Sequence, residues 1–126
     1  MDLASISPIA SLTGGDIHLF NPFYATTHGE KLHYEIFRTL TRNQGNEVVI
    51  KARTSAGISI TEYFGSFSIK ETVDFELAAI DADKCIGFTI RNDDKLKENE
   101  LAGIQFAMLY TTQFGDRRIR VFNINL

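Results

Sequence analysis

Two cations stand two positions apart, Lys51 and Arg53, inside the run Val48-Val49-Ile50-Lys51-Ala52-Arg53. In a strand, side chains repeat every second residue, so both project from one face about 7 Å apart. Such a pair can hold a carboxylate or an acidic peptide through charge-assisted hydrogen bonds. Solvated charge on the outer face of a sheet is the alternative reading. Leu109 is the second signal. In the stretch from Ile104 to Tyr110, parity sends Ile104, Phe106, Met108 and Tyr110 one way and Leu109 the other. An apolar side chain thereby lies on the presumed outside, either covered by another element or offered to a partner. The densest basic run is Arg117-Arg118-Ile119-Arg120, in which a strand would pair Arg118 with Arg120. Those two guanidiniums can meet loop carboxylates or phospholipid head groups.

Patterns for catalysis or metal binding are missing. His18, His28 and His33 lack the HxxxH spacing with a nearby acid, and His28 and His33 are five apart, a poor interval for shared ligation. Asp81-Ala82-Asp83 hints at calcium, but an EF-hand needs glycine at loop position six and glutamate at twelve, where Ile86 and Asn92 stand. Gly14-Gly15 lacks the spacing of phosphate loops and reads as a turn. No G-x-S-x-G elbow occurs, and Cys85 has no evident histidine partner, so it reads as an ordinary strand cysteine. The expectation is therefore a protein that is not an enzyme and that holds no cofactor or metal in this stretch. An enzyme fragment would need a polar cleft that the sequence does not announce. A net charge of −3 is the wrong sign for a domain that mainly neutralises phosphates, so no nucleic-acid partner is expected. With one cysteine, no internal disulfide can form, in keeping with a reducing, cytosolic setting. No apolar run approaches the roughly 18 residues that cross a bilayer.

The elements that must position these residues can be read from period and punctuation. At 126 residues the chain fits one ordinary domain with a real core. Ile17-His18-Leu19-Phe20 alternates briefly before Asn21-Pro22 and predicts a short strand or extended segment. Thr27 and Glu30 have capping-box spacing, and Leu32, Ile36, Phe37 and Leu40 follow at helical intervals. One amphipathic helix over about 29–43 is predicted, with Gly45 as its stop. Beyond it the period becomes two. Val48/Ile50, Ile58/Ile60 after a turn at Gly57, Phe67-Ser68-Ile69, Val73 to Leu77, and Ile86/Phe88/Ile90 predict half-buried strands, and Asn92 to Glu100 a polar loop. Ile104 to Tyr110 and Ile119/Val121, separated by Phe114-Gly115-Asp116, predict a closing hairpin. The predicted fold is mainly β, an antiparallel β-sandwich with one N-terminal amphipathic helix and a short preceding strand.

Several strings now carry a resemblance. Leu40-Thr41-Arg42, Glu47 through Ile58, Tyr63-Phe64-Gly65-Ser66-Phe67, Ile80-Asp81-Ala82-Asp83, Ile104 through Thr112 and Gly115 through Val121 resemble, in order, the cargo-adaptor subunit of the COPII inner coat, the Sec24 family. Leu12-Thr13-Gly14-Gly15 followed by Phe20 is similar to the end of that family's trunk domain. The sister GTPase-activating subunit shares the closing segments, but the middle strings favour the adaptor. The resemblance implies that residues 1–45 are the C-terminal end of the trunk and 46–126 the β-sandwich domain, parts of a larger protein whose zinc finger, carrying zinc, lies elsewhere.

It further implies a non-enzymatic coat component that selects membrane cargo for transport from the endoplasmic reticulum to the Golgi. The implied partners are the sister inner-coat subunit, the cytosolic tails of cargo proteins and, indirectly, the coat small GTPase. The implied location is cytoplasmic, peripheral on the endoplasmic reticulum membrane at exit sites and on COPII vesicles. In this family basic residues in the strand matching Ile50-Lys51-Ala52-Arg53, and a leucine in the strand matching Ala107-Met108-Leu109, contribute to a site for acidic signals. That assigns Lys51, Arg53 and Leu109 to cargo-peptide binding. The first basic position is lysine here where the family carries arginine, so a bidentate grip on carboxylate rests on Arg53. The site's other arginines belong to the trunk, and the isolated stretch is expected to bind weakly and to self-associate through faces the trunk would cover. A free-standing sandwich module touching phospholipid through Arg118 and Arg120 is the competing reading.

Overall fold

The computed structural model describes residues 2–69, 74–95 and 101–125, so Val73 and the end of the predicted polar loop lie outside the described residues. Two helices, α1 (Leu3–Thr13) and α2 (Ala25–Thr41), precede seven strands: β1 (Gln44–Thr54), β2 (Ile58–Phe64), β3 (Ser68–Ile69), β4 (Asp74–Asp81), β5 (Gly87–Asn92), β6 (Gly103–Thr112) and β7 (Arg117–Asn125). Five strands form an antiparallel sheet in the order β3-β4-β1-β6-β7, and β2 pairs with β5 in a second, smaller sheet.

Alternation builds the core between these layers. Val48, Ile50 and Ala52 of β1, Phe75 and Leu77 of β4, and Ile104 and Tyr110 of β6 are buried on one face of the large sheet. Tyr63 of β2 and Phe67 pack on Phe75 at ring separations of 5.1 and 4.9 Å, and Phe88 of β5 packs on Phe106 of β6 at 5.0 Å. The architecture is a β-sandwich, as expected. Its turns are where glycine places them. Gly57 has φ 87° between β1 and β2, and Gly115 has φ 89° in the β6–β7 hairpin, where residues carrying a Cβ are strained.

The N-terminal part departs from expectation in detail. An unpredicted helix, α1, is present: the Asp2 side chain accepts the Ala4 N–H at 3.0 Å, and Gly14 ends it in the left-handed conformation. Pro8 sits inside this helix and hides it from a sequence reading, because proline removes an interior hydrogen bond. A Cβ on Gly14 would lie 2.3 Å from Ala79 O, so α1 ends hard against β4.

Helix α2 begins before the expected capping box. Tyr24 is its N-cap, Thr27 lies inside the first turn, and His28 Nδ1 accepts the Tyr24 N–H at 3.1 Å in the role expected of Glu30. Gly45 is not the helix stop. It is a buried β1 residue, and glycine is needed there because a Cβ would come 2.7 Å from the Tyr110 ring. Residues 17–20 form no strand. Side chains anchor this segment instead of a ladder: Asp16 is ion-paired to Arg42 and Lys84, and Phe20 packs on Phe23 and His28. Cys85 is exposed in the loop before β5 rather than in a strand, since the β4–β5 crossing is occupied by the Asp81–Lys84 turn.

A charged clasp ties α2 to the sandwich. Arg38 donates to both carboxylate oxygens of Asp83, at 2.8 and 2.6 Å, while Arg42 reaches Asp81 at 2.8 Å and Asp83 at 3.1 Å. The apolar stripe of α2 packs little: Ile36, Phe37 and Leu40 are exposed.

A candidate peptide-binding face on the large sheet

The face of the large sheet opposite the core is built from the odd positions of β1 and β6. Register places Val49, Leu109 and Ile119 side by side in one row. Asp74, Lys51, Ala107 and Val121 make the next row, and Arg53, Gln105 and Asn123 the one after. Lys51, Arg53 and Leu109 therefore share this face, and four residues of β6, about 13 Å, separate the leucine row from the arginine row.

The two cations differ in commitment. Lys51 Nζ donates to Asp74 Oδ2 at 3.1 Å, with the side chains 45% and 39% exposed. Asp74 Oδ1 is buried and has no hydrogen-bond partner among the described residues, where this carboxylate draws its stabilisation from Lys51. Arg53 is exposed and its guanidinium makes no hydrogen bond or ion pair among the described residues. It lines a shallow groove of about 400 Å³ together with Gln105, Asn123 and Asn125. Gln105 Nε2 donates to Asn123 Oδ1 at 2.9 Å, which leaves the Asn123 amide nitrogen as a further donor. Guanidinium plus amide donors in a polar groove suit a carboxylate.

The apolar half of the face lies toward β7. Leu109 is half-buried between Val49 and Ile119, and Ile119 and Val121 are 70% and 51% exposed. Leu12 of α1 shares a groove with Val49 and Leu77, so α1 covers the β4 side and leaves the β6–β7 side open. Arg117 closes the far end. It donates to Glu47 O at 3.1 Å and to Thr111 Oγ1 at 2.8 Å, pinning the bulge where Glu47 takes φ 51°.

Arg118 and Arg120 fall on the opposite face of β7, as their parity predicts, with Arg118 on Asp116 at 3.2 Å and Arg120 over the Tyr110 ring at 6.0 Å. The histidines gather around α2: His18 Nδ1 lies 4.0 Å from Glu35, and His33 stacks on Phe37. Asp81 and Asp83 are taken by the clasp. Hydrogen bonds from Arg38 and then Arg42 hold the Asp83 carboxyl well below its usual range. For Asp16 burial pushes upward, but Lys84 and Arg42 outweigh it and the net displacement is downward.

Sequence reasoning missed Asp74 as the partner of Lys51, although Asp74 alternates with the core residues Phe75 and Leu77. It also missed that Ile119 and Val121 extend the Leu109 surface. Only the register of β6 against β7 reveals that.

Comparison with known proteins gives this face a context. Residues 45–126 match the Sec23/Sec24 beta-sandwich domain. Over 126 residues the chain is 44% identical to protein transport protein SEC24 B of Arabidopsis thaliana and 36% identical to protein transport protein Sec24D of Homo sapiens. The whole chain spans 12% of the length of each of these relatives. Its structure superimposes on the crystal structure of the human COPII-coat protein Sec24c with a TM-score of 0.93 at 35% identity, covering 98% of this chain and 17% of that one. The chain belongs to the Sec23/Sec24 beta-sandwich domain family.

Proposed function

We propose that this chain is part of a non-enzymatic COPII coat component that selects membrane cargo for transport from the endoplasmic reticulum to the Golgi, by binding acidic export signals on cytosolic tails. The observation that carries the reading is the uncommitted Arg53 guanidinium in its polar groove, on the same open face as Lys51 and Leu109. Arg53 grips a carboxylate in bidentate fashion, Lys51 adds a point charge, and Leu109 with Ile119 receives an apolar side chain. Residues 1–45 act as the end of the trunk, in keeping with the unburied apolar stripe of α2, and 46–126 as the sandwich. The protein works on the cytoplasmic side of the membrane, beside its sister subunit.

The test is the affinity of a cargo-tail peptide with two neighbouring acidic residues for the wild-type chain and for the Lys51→Ala, Arg53→Ala double variant. Binding that weakens about tenfold or more in the variant, and that weakens with salt in the wild type, supports the reading. Equal affinity for both proteins contradicts it.

A further inference from the structure

A bulge sets the apolar end of the outer face. The pairing of β1 with β6 passes from Asn46↔Thr111 to Val49↔Leu109, three steps on one strand against two on the other, while β1 and β4 keep a constant register over the same stretch. Two inward-facing residues at an odd spacing demand the extra residue: Gly45 lies against the Tyr110 ring, and Val48 is 1% exposed. Glu47 absorbs it at φ 51°, a left-handed conformation that glycine adopts with less strain. The glutamate side chain is fully engaged there. Thr111 Oγ1 donates to Glu47 Oε2 at 3.2 Å, and Arg117 donates to the same oxygen at 3.3 Å, to Thr111 Oγ1 at 2.8 Å and to Glu47 O at 3.1 Å. Side chains of β1, β6 and β7 thus close a ring of hydrogen bonds over the bulge. Those three strands supply Val49, Leu109 and Ile119, the next row along the face.

We propose that Arg117 is a positioning residue for signal recognition. Acting through Glu47 and Thr111, it holds the bulge and with it the Val49–Leu109–Ile119 row that receives the apolar side chain of the signal. The inference rests on the reading of this face as a site for acidic signals. Three acceptors of the chain itself take the Arg117 guanidinium, so its charge is committed to the bulge rather than to a ligand. The cationic end of the face is held separately. From Val49↔Leu109 to Thr54↔Ile104 the β1–β6 ladder runs without a shift, which fixes Lys51 and Arg53 independently of the bulge. Loosening the ring therefore reaches the leucine row first and leaves the arginine row in place. Arg117 governs the preference for an apolar residue in the signal, and Arg53 the requirement for an acid.

The probes are two capped peptides, each with two neighbouring glutamates, one carrying a leucine four residues from the nearer glutamate and the other an alanine in its place. The readout is the ratio of their affinities for the full chain, in which the loss of one positive charge cancels. Wild type should prefer the leucine peptide by at least about fivefold, and Arg117→Gln should cut that preference below about twofold. Arg117→Lys keeps a donor within reach of the Glu47 carboxylate and should recover part of it. A direct contact between Arg117 and the acids would weaken both peptides alike and leave the ratio unchanged. Hydrogen exchange without peptide reads the ring itself: in Arg117→Gln, protection should fall over Asn46 to Val49 and Leu109 to Thr111 and hold over Lys51 to Thr54. If neither peptide binds wild type, the reading of the face fails, and exchange alone then judges the ring. The proposal is overturned if wild type binds without preferring leucine, if Arg117→Gln keeps the preference, if lysine restores no more than glutamine, or if protection around the bulge does not change.

Discussion

Asp74 occupies part of the charge that a ligand carboxylate would use, so neutralising it should strengthen binding. The Lys51 Nζ to Asp74 Oδ2 separation is 3.1 Å, for which the Coulomb attraction in water is about 1 kcal/mol. Both side chains are more than a third exposed, and salt and solvent reduce the pair to about 0.5 kcal/mol. Asp74→Asn keeps the shape, frees the ammonium and removes the repulsion between Asp74 and the incoming acid. Affinity for a di-acidic peptide should rise about twofold to fivefold at low ionic strength, with a smaller gain at physiological salt. Calorimetric titration measures this. A second readout shows that Asp74 has been neutralised in place: burial raises the Tyr63 phenol pKa and the Asp74 charge adds to it, so Asp74→Asn should lower it. Affinity that is unchanged or reduced at low salt, with the phenol shift present, would refute the idea that Lys51 contributes to the binding charge.

Acidification should release α2 from the sandwich. Asp83 and Asp16 are displaced below their ordinary value of 3.8, so the stability they lend is complete above that pH and is lost as pH falls through their folded values. The protection factors of α2 amides should therefore fall below about pH 4, and Asp83→Asn should lower them already at neutral pH and flatten the pH response; unchanged protection in that variant contradicts the clasp. Gly45→Ala should destabilise the chain by about 1–3 kcal/mol in denaturant titration, because its Cβ meets the buried Tyr110 ring at 2.7 Å, and a neutral result would mean the ring has room to move. Phe75→Ala removes the ring that joins Tyr63 and Phe67 across the two layers and should cost about 3–5 kcal/mol; a cost below about 1 kcal/mol would show that the layers are not packed through it.

What could be read in advance depended on whether the signal was local. Alternation in Val48 to Arg53 and Ile104 to Tyr110 is intrinsic to the chain, so the strands, their inner and outer faces and the grouping of Lys51, Arg53 and Leu109 followed from parity. Gly57 and Gly115 marked their turns because positive φ selects glycine. Gly45 misled for the same reason. A glycine demanded by the approach of Tyr110 looks identical in sequence to one that ends a helix. The start of α2 was misplaced because His28 supplies the bond expected from a capping glutamate, and α1 was hidden by Pro8. Asp74 and Ile119 entered the face only through pairing between distant strands, which one sequence does not encode in any local pattern.

On the proposed reading, acidic signals bind the outer face of the large sheet through Arg53. A backbone amide shift map of the chain during titration with a di-acidic tail peptide tests it most directly. The largest shifts should fall on Lys51 to Arg53, Gln105 to Leu109 and Asn123, and should disappear in the Lys51→Ala, Arg53→Ala variant. Shifts that gather instead around Arg118 and Arg120, or that persist in the variant, would contradict it.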